Sequence, residues 1–302
     1  MEKWPNFFIV GVSKAGTTSL YNFLKDIPGI FLSERKEPHY FSKLIIPQNH
    51  SENPIRKKEE YLSLFKNSGD ASIIGEASAT YISDPEAPFL IHQVSPNSKI
   101  LISLRDPVER TFSAYLMHYA NETIKKKFHD ELFHELNYKI DLSTPNMRIP
   151  AGFYYEGVKK YIDLFGRENV KVIIFEEWVT NPAKFVNEII KFLGIDYSFK
   201  MPNLVKFNSF EERKKKKIKP KGTLAKFILN NKKIKLISEV VLTKEIKEKM
   251  KNNLLLDSSP ISYDKPLMNS EDKKLLIDLF NSDVKNLKKL LNYEIPWKNF
   301  NN

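Results

Sequence analysis

The chain has 302 residues and contains no cysteine. This absence excludes disulfides, thiolate metal sites and a cysteine nucleophile. It also fits a reducing compartment, where disulfides are rare.

Long hydrophobic runs are absent as well. No segment is apolar over the roughly 20 residues that a membrane-spanning helix needs. The N-terminal stretch through Phe7–Val10 lacks the pattern of charged, apolar and small residues that marks a signal peptide. The hydrophobic fraction of 41% is ordinary for a globular protein. We therefore expect a soluble, cytoplasmic protein.

Most of the chain also lacks an excess of charge of either sign. The net charge is +11, but 16 Lys or Arg residues against 5 Glu residues lie between Lys206 and Lys251. Such a segment attracts anions, whether a nucleotide, an acidic glycan or a nucleic acid. It has no platform of interleaved aromatic residues of the kind that stacks bases, so we expect no nucleic-acid partner.

Short apolar runs alternate with amphipathic segments along the chain. The runs predict strands over Phe7–Val10, Ile30–Leu32, Ser72–Ile74, Lys99–Leu104 and Val170–Phe175. Helical spacing predicts helices over Ile55–Phe65, Pro85–Val94, Pro107–Tyr119, Tyr154–Phe165, Asn181–Leu193 and Glu271–Leu291. Because the strands are apolar throughout, we predict an α/β fold, a P-loop-like parallel sheet flanked by helices on both faces.

The remaining segments complete one predicted domain over residues 1–302. Residues 121–150 are polar and predict an irregular insertion over the site. A basic, variable segment occupies about residues 206–265. The closing helix at 271–291 is expected to be sealed to the core by Trp297.

The stretch Phe7–Leu20, FFIVGVSKAGTTSL, is the centre of this organisation. It reads as a strand, a turn bounded by Gly11 and Gly16, and a helix that starts with hydroxyl residues. The first amides of a helix have no intrahelical partner and bind oxyanions. The stretch therefore predicts a phosphate site, to which Lys14 adds a full charge.

The glycine spacing resembles a Walker A loop, with one departure. In nucleoside-triphosphate P-loops a lysine directly follows the second glycine, and a Ser or Thr for Mg²⁺ comes next. Here Thr17 occupies that lysine position and the lysine lies earlier, at Lys14. The alternative is an ordinary βα turn with a surface lysine.

A second oxyanion site is predicted at the next strong strand. Arg105 follows Lys99–Leu104, and Ser113 lies two turns into the following helix. A guanidinium and a hydroxyl of this kind bind phosphate well. Two such sites on one sheet suggest a ligand with two separate phosphates, although Arg105 in a salt bridge and Ser113 as a plain helix hydroxyl remain alternatives.

Glu37 and His39 follow the phosphate helix in a charged loop. A carboxylate near bound anions would have a raised pKa, which suits a general base. From spacing alone, an exposed charge is the better interpretation of Glu37, and a hydrogen-bonded core or rim histidine that of His39. Glu76 is equally ambiguous.

Taken together, four ordered strings resemble the sulfotransferases that use 3′-phosphoadenosine-5′-phosphosulfate (PAPS). They are FIVGVSKAGTTSLYNFL, RKEPHYFS, GEASATYI and KILISLRDPVERTFSAYLMH. The similarity is closest to bacterial members and to the related glycosaminoglycan sulfotransferases. It continues through AGFYYEGVKKYIDLFGRENVKVIIFEEW, NPAKFVNEIIKFLGI and DVKNLKKLLNYEIPW, and covers roughly residues 6–195 and the last helix.

The resemblance implies a role for each matching residue. The 5′-phosphosulfate loop would comprise Lys14, Ala15, Gly16, Thr17, Thr18 and Ser19. Arg105 and Ser113 would hold the 3′-phosphate. Glu37 would deprotonate the acceptor, with Lys14 as a catalytic cation and His39 as an orienting neighbour. The resemblance implies PAPS as donor, 3′,5′-adenosine bisphosphate (PAP) as product, and an acceptor that bears a hydroxyl or an amine, with a carbohydrate as one candidate.

This chemistry predicts that no metal is required. Sulfuryl transfer is an in-line displacement similar to phosphoryl transfer. A lysine and backbone amides can stabilise the leaving phosphate oxygen. One departure concerns the acceptor, since glycosaminoglycan sulfotransferases tend to have Glu-Lys-Ser/Thr where this chain has Glu76-Ala77-Ser78.

Two alternatives remain open at the level of sequence. A small-molecule P-loop kinase would share the strand, loop and helix, but the displaced Lys14 and the lack of metal carboxylates count against it. A basic module could instead grip anions through the Lys206–Lys251 segment, with binding that is lost at moderate salt.

Overall fold

The computed structural model describes residues 2–44, 53–121, 123–137, 149–200 and 266–301, together with the backbone of two short strands. The chain divides into two compact units, residues 1–205 with 266–302, and residues 206–265. In the second unit the described backbone is an antiparallel pair, Lys219–Pro220 with Leu256–Asp257. The predicted single domain remains a prediction.

The first unit is built on a five-stranded sheet whose strand pairs are all parallel. The strands are β1 (Phe7–Gly11), β2 (Ile30–Leu32), β3 (Ile73–Ala77), β4 (Lys99–Leu104) and β5 (Val170–Ile174). Their spatial order is β2-β3-β1-β4-β5. This confirms the predicted fold class. The parallel arrangement brings the carboxyl ends of all five strands to one edge of the sheet.

Nine helices are described in the same unit. They are α1 (Thr17–Leu24), α2 (Lys58–Ser63), α3 (Ala87–Val94), α4 (Pro107–Ala120), α5 (Phe128–Asn137), α6 (Tyr155–Phe165), α7 (Phe175–Trp178), α8 (Pro182–Phe192) and α9 (Ser270–Leu291). Short 3-10 turns lie at Tyr81–Ser83, Ile149–Gly152 and Arg167–Asn169. None of the described helices is both long enough and apolar enough to span a bilayer.

Apolar residues alternate between the two faces of the sheet. Phe7 and Ile9 of β1 join one buried cluster with the inner sides of α1 and α8. Residues one position along, such as Phe8 and Ile100, are fully buried on the opposite face, where α6 packs against β4 and β5. Helices cover both faces, which explains why the strands read as continuous apolar runs.

Three predictions of local structure need correction. Helix α5 lies within the segment expected to be irregular, because Phe128 and Leu132, one turn apart, are both buried. Its His, Asp and Glu residues obscure this periodicity. Strand β3 runs on to Ala77, past Gly75, where an added Cβ would lie 2.7 Å from the carbonyl O of Phe7. Finally, Phe175 begins helix α7 instead of ending strand β5.

Candidate active site

The predicted phosphate loop lies between β1 and α1, and β4 holds it in place. The amide of Val12 donates to the carbonyl O of Ser103 (2.7 Å). The Ser103 hydroxyl donates to the carbonyl O of Ala15 (2.6 Å) and accepts from Nε1 of Trp178 (3.2 Å). The loop is thus fixed at both ends before any ligand binds.

Gly16 shapes the start of α1. Its φ is 78°, in the left-handed region, and an added Cβ would lie 2.2 Å from Cζ2 of Trp178. Gly16 is also the N-cap of α1 and has no side chain to occupy the first amides. These amides and the hydroxyl residues Thr17, Thr18 and Ser19 therefore lie where the sequence predicts an oxyanion site.

Lys14 and Arg105 come together at the edge of the sheet. Nη1 of Arg105 donates to the carbonyl O of Lys14 (3.1 Å). Nζ of Lys14 lies 3.8 Å from Sδ of Met117, on α4. Ser113 is four residues before Met117, so the two share a face of α4. The structure therefore places Lys14 beside Arg105 and against the face of α4 that carries Ser113, and the phosphate-binding roles of the three residues stay predictions.

Arg105 has an unused donor in this region. Its guanidinium lies 4.8 Å from the ring centre of Phe175, and its carbonyl O accepts from the Tyr154 hydroxyl (2.8 Å). Nε is buried and has no hydrogen-bond partner in the described part of the chain. A buried donor without a partner is costly. The residues present therefore fit an anionic group beside Arg105.

Glu176, in α7 directly after β5, has a structural role instead. Its Oε1 accepts from the backbone amide of Asp106 (3.1 Å), and its Oε2 accepts from Nε1 of Trp297 (3.0 Å). Nδ2 of Asn299 donates to the Asp106 carboxylate (2.8 Å). Burial raises the pKa of the Asp106 and Glu176 carboxyls, and the hydrogen bonds that they accept oppose this rise in part. The C-terminal segment thus supports the backbone beside Arg105.

Glu37 lies in the loop after β2, and its carboxylate has three close partners. Oε2 accepts from the backbone amide of Ala79 (2.8 Å), and Nε2 of His39 lies 3.7 Å from the same oxygen. Nζ of Lys36 contacts Oε1. The side chain is 30% exposed, so an acceptor can reach it from solvent.

The electrostatics of Glu37 differ from the expectation. Burial raises the pKa of this carboxyl, but the charges of Lys36 and His39, with the amide of Ala79, outweigh burial and hold it below its usual value. The predicted rise in the pKa of Glu37 depends on bound anions. In the protein without ligand, the neighbouring cation Lys36 lowers this pKa. Glu37 is therefore ionised and able to accept a proton.

His39 and Glu37 are in contact, with Nε2 of His39 3.7 Å from Oε2 of Glu37. His39 is buried, and its Nδ1 lies 2.9 Å from the Thr80 hydroxyl. This contact fixes the ring, whose Nε2 points towards Glu37. Ala79, which donates to Glu37, lies close to the predicted phosphate loop, because a Cβ on Gly11 would lie 3.4 Å from the carbonyl O of Ala79. Both predicted groups thus lie at the same edge of the sheet.

Sequence reasoning missed several supporting residues. Ser103, Trp178, Tyr154 and Asn299 are distant in sequence from the residues they hold. Glu76 was ambiguous, yet it is fully buried and accepts from the hydroxyls of Tyr61 (2.9 Å), Tyr81 (2.8 Å) and Ser78 (2.7 Å). A carboxylate directly after a strand glycine, followed by Ser and Tyr, was the available signal.

Comparison with known proteins agrees with this geometry. A model of the sulfotransferase domain family matches residues 5–257. Human carbohydrate sulfotransferase 15 is 26% identical over 245 residues, which cover 63% of this chain and 44% of that protein. Human heparan sulfate glucosamine 3-O-sulfotransferase 6 is 28% identical over 194 residues, 64% and 53% of the two chains. The chain spans about half the length of the curated relatives it matches.

A solved structure is also similar over nearly the whole chain. The crystal structure of a sulfotransferase from Alicyclobacillus acidocaldarius gives a TM-score of 0.67 at 28% identity, with 97% of this chain and 98% of that chain covered.

Proposed function

Because the chain belongs to the sulfotransferase domain family, we propose that it transfers a sulfuryl group from PAPS to a hydroxyl or an amine of an acceptor. The observation that carries this proposal is the bond from Arg105 to the Lys14 carbonyl, beside a buried guanidinium Nε that has no hydrogen-bond partner in the described residues. This bond connects the two predicted oxyanion sites. A ligand with separate 5′ and 3′ phosphates suits such a pair.

The residues of the chain divide the work between binding and proton transfer. The amides of Thr17 and Thr18, at the start of α1, and the Lys14 ammonium would bind the 5′-phosphosulfate and stabilise the charge on its leaving phosphate. Arg105 and Ser113 would hold the 3′-phosphate. PAPS supplies an activated sulfuryl group, whose bond to the phosphate breaks as a bond to the acceptor forms.

Glu37 would take the proton that the acceptor loses. Its Oε2 is held by the Ala79 amide, and Lys36 and His39 keep it ionised. His39 is fixed through Thr80 and would orient the carboxylate.

We propose a carbohydrate hydroxyl as the acceptor. The named relatives support this class, since the names of two of them specify a carbohydrate and heparan sulfate glucosamine. The residue after Glu76 is Ala77, which is fully buried in β3, and not the lysine expected of a glycosaminoglycan enzyme. We therefore do not restrict the acceptor to glycosaminoglycans. A cytoplasmic location also stays a proposal, to be tested by cell fractionation.

The decisive experiment is calorimetric titration with PAP and with ATP, each with Mg²⁺ and with chelator. We expect PAP to bind tightly with or without the metal, and ATP weakly. Arg105→Ala should weaken PAP binding at least tenfold. The matched control is Arg167→Ala, which removes the same charge from an exposed arginine far along the chain. A preference for ATP with Mg²⁺ would indicate a kinase instead.

Turnover is tested with radiolabelled PAPS and a panel of unsulfated polysaccharides, with release of sulfate to water as a background reaction. Glu37→Gln should retain PAP affinity and lose turnover, because the amide cannot accept the proton. If Glu37→Gln kept full turnover, Glu37 would not be the base.

A further inference from the structure

Glu76 is a buried carboxylate that the proposed transfer does not use. Its side chain is fully buried on β3. Oε1 accepts from the hydroxyls of Tyr61 (2.9 Å) and Tyr81 (2.8 Å), and Oε2 accepts from the hydroxyl of Ser78 (2.7 Å). A carboxylate accepts at both oxygens. Three donors are what an ionised carboxylate needs in order to remain buried.

Each of these donors also holds one residue of the loop that carries Glu37. The Ser78 hydroxyl accepts from the amide of His39 (3.1 Å), and the Tyr81 hydroxyl accepts from the amide of Phe41 (3.2 Å). The ring of Tyr61 stacks on Tyr40, with centroids 4.2 Å apart and planes 11° apart. Three consecutive residues, 39 to 41, are therefore connected to one carboxylate.

The loop itself requires such support. Glu37 has φ of 61° and His39 has φ of 53°, both in the left-handed region that non-glycine residues rarely occupy. A backbone of this kind persists where surrounding contacts fix it. Glu37 makes two bonds of its own: its amide donates to the carbonyl O of Ala77 (2.8 Å), and its carboxylate accepts from the amide of Ala79 (2.8 Å). The next residues depend on Ser78, Tyr61 and Tyr81.

We propose that Glu76 is the positioning residue of this loop, and that its ionised carboxylate holds Ser78, Tyr61 and Tyr81 in the orientations that place Glu37 for proton transfer. The inference rests on the proposed role of Glu37 as the base.

Protonation of Glu76 would disturb this arrangement. A neutral carboxyl becomes a donor at one oxygen, so one of the three hydroxyls loses its acceptor. Burial raises the pKa of Glu76 to about 7; the hydroxyls of Ser78, Tyr81 and Tyr61 oppose the rise, and the charge of Glu37 adds to it. Tyr161 of α6 also faces Glu76. The pKa of Glu37 is lowered, so Glu37 does not titrate near neutral pH. The loss of kcat on the acid side of the pH profile, its acid limb, should therefore lie near pH 7 and reflect protonation of Glu76.

The test measures kcat for sulfate release from PAPS, with water as the acceptor, across pH 5 to 9 and alongside PAP affinity. We expect Glu76→Gln to lower kcat at least tenfold and to remove the limb near pH 7, with PAP affinity changed by less than about twofold. Tyr61→Phe keeps the stacked ring but deletes a donor that lowers the pKa of Glu76. It should move the limb to higher pH. The exposed Glu59→Gln, also on α2, is the control and should change nothing.

The outcomes separate this inference from the proposed function. If wild-type protein binds PAP and turns over, while Glu76→Gln retains its kcat and its acid limb, the inference is wrong and the proposed function stands. If Glu76→Gln does not fold, Ser78→Ala replaces it, since it deletes the bond to the His39 amide. A lower kcat with unchanged PAP affinity then supports the inference, and an unchanged kcat overturns it. Wild-type protein that neither binds PAP nor releases sulfate would overturn both.

Discussion

Ser103 alone connects three residues around the predicted phosphate loop: Val12, Ala15 and Trp178. Its carbonyl accepts from Val12, its hydroxyl donates to Ala15, and the same hydroxyl accepts from Trp178. Trp178 in turn packs against Gly16, where there is no room for a Cβ. The conformation of the loop thus depends on Ser103, 88 residues from Ala15, and on Trp178, 162 residues from Gly16, and a contiguous motif cannot reveal such contacts.

The candidate site was predictable where its signal is contiguous. Lys14, Gly16 and the hydroxyls that follow stand in one string, and Arg105 directly follows a strong strand. The environment of Glu37 was not predictable, because the direction of its pKa depends on the balance of burial against Lys36, His39 and the amide of Ala79. Such a balance requires distances that only the fold defines.

Ionised Glu76 should lower stability at neutral and higher pH. Its pKa is about 7 in the folded state against an ordinary 4.5, so the folded state binds the proton more tightly. This contribution to stability is fully present below about pH 4.5 and is lost as pH rises through 7. At about 1.4 kcal/mol per pKa unit, the free energy of unfolding of wild type, relative to that of Glu76→Gln, should fall by about 3 kcal/mol between pH 4.5 and 8.

Urea unfolding of both proteins at several pH values measures this difference. Glu59→Gln, which changes an exposed carboxylate, should run parallel to wild type throughout. A difference between wild type and Glu76→Gln that stays constant with pH would mean that the folded-state pKa of Glu76 is not raised.

At the scale of elements, the C-terminal segment after α9 acts as a brace for the backbone around Arg105. Trp297 was expected to seal the closing helix to the core, and it is fully buried. Its ring packs 5.9 Å from Tyr154, which holds the carbonyl of Arg105, and its Nε1 donates to Glu176. The hydrophobicity of Trp297 indicated that it would be buried. Its hydrogen bond to Glu176 was not predictable, because that carboxylate is 121 residues away in the sequence.

Removing the polar contacts of this segment should weaken nucleotide binding. Trp297→Phe keeps a buried ring and deletes the donor to Glu176, and Asn299→Ala deletes the donor to Asp106. A hydrogen bond to a charged group is worth about 1.5–3 kcal/mol. If about 1 kcal/mol of this hydrogen-bond energy is lost from PAP binding through displacement of Arg105, calorimetry should find PAP affinity reduced about fivefold.

The matched control is Asn301→Ala, in the same segment, because Asn301 accepts from Lys288 and not from the site. The brace is disproved if Trp297→Phe and Asn299→Ala both bind PAP as tightly as wild type.

Helix prediction succeeded for the long amphipathic segment at α9 and missed the four-residue helix α7. Helix α9 matches its prediction within one residue, since five buried positions recur along it at helical spacing. Helix α7 has four residues, too few for a periodic signal, and the apolar run of β5 conceals its start. Part of the segment around α5, residues 138–148, lies outside the described residues.

For the molecule as a whole, the parallel sheet is what brings distant chemistry together. Lys14 follows β1, Arg105 follows β4, and Ala79, which holds Glu37, follows β3; these three strands are neighbours in the order β3-β1-β4. Alternating apolar runs and helices predicted this fold. A parallel sheet in turn predicts that the residues following its strands lie at the same edge. The acceptor could not be predicted, since acceptor pockets are usually built by loops and the loop sequences of this chain carry no readable pattern.

A ligand that bridges two strand ends should stabilise the whole fold. PAP would join the loop after β1 to Arg105 after β4, whereas adenosine 5′-monophosphate lacks the group that Arg105 binds. At a concentration about 100 times its dissociation constant, PAP should add about 2.7 kcal/mol to the free energy of unfolding. The midpoint temperature of thermal unfolding, measured in chelator, should therefore rise with PAP, and much less with an equal concentration of adenosine 5′-monophosphate.

Arg105→Ala should lose most of the difference between the two ligands, while Arg167→Ala, with the same net charge, should retain it. Equal shifts from both ligands in wild type would mean that Arg105 holds no phosphate and that its buried Nε has another purpose.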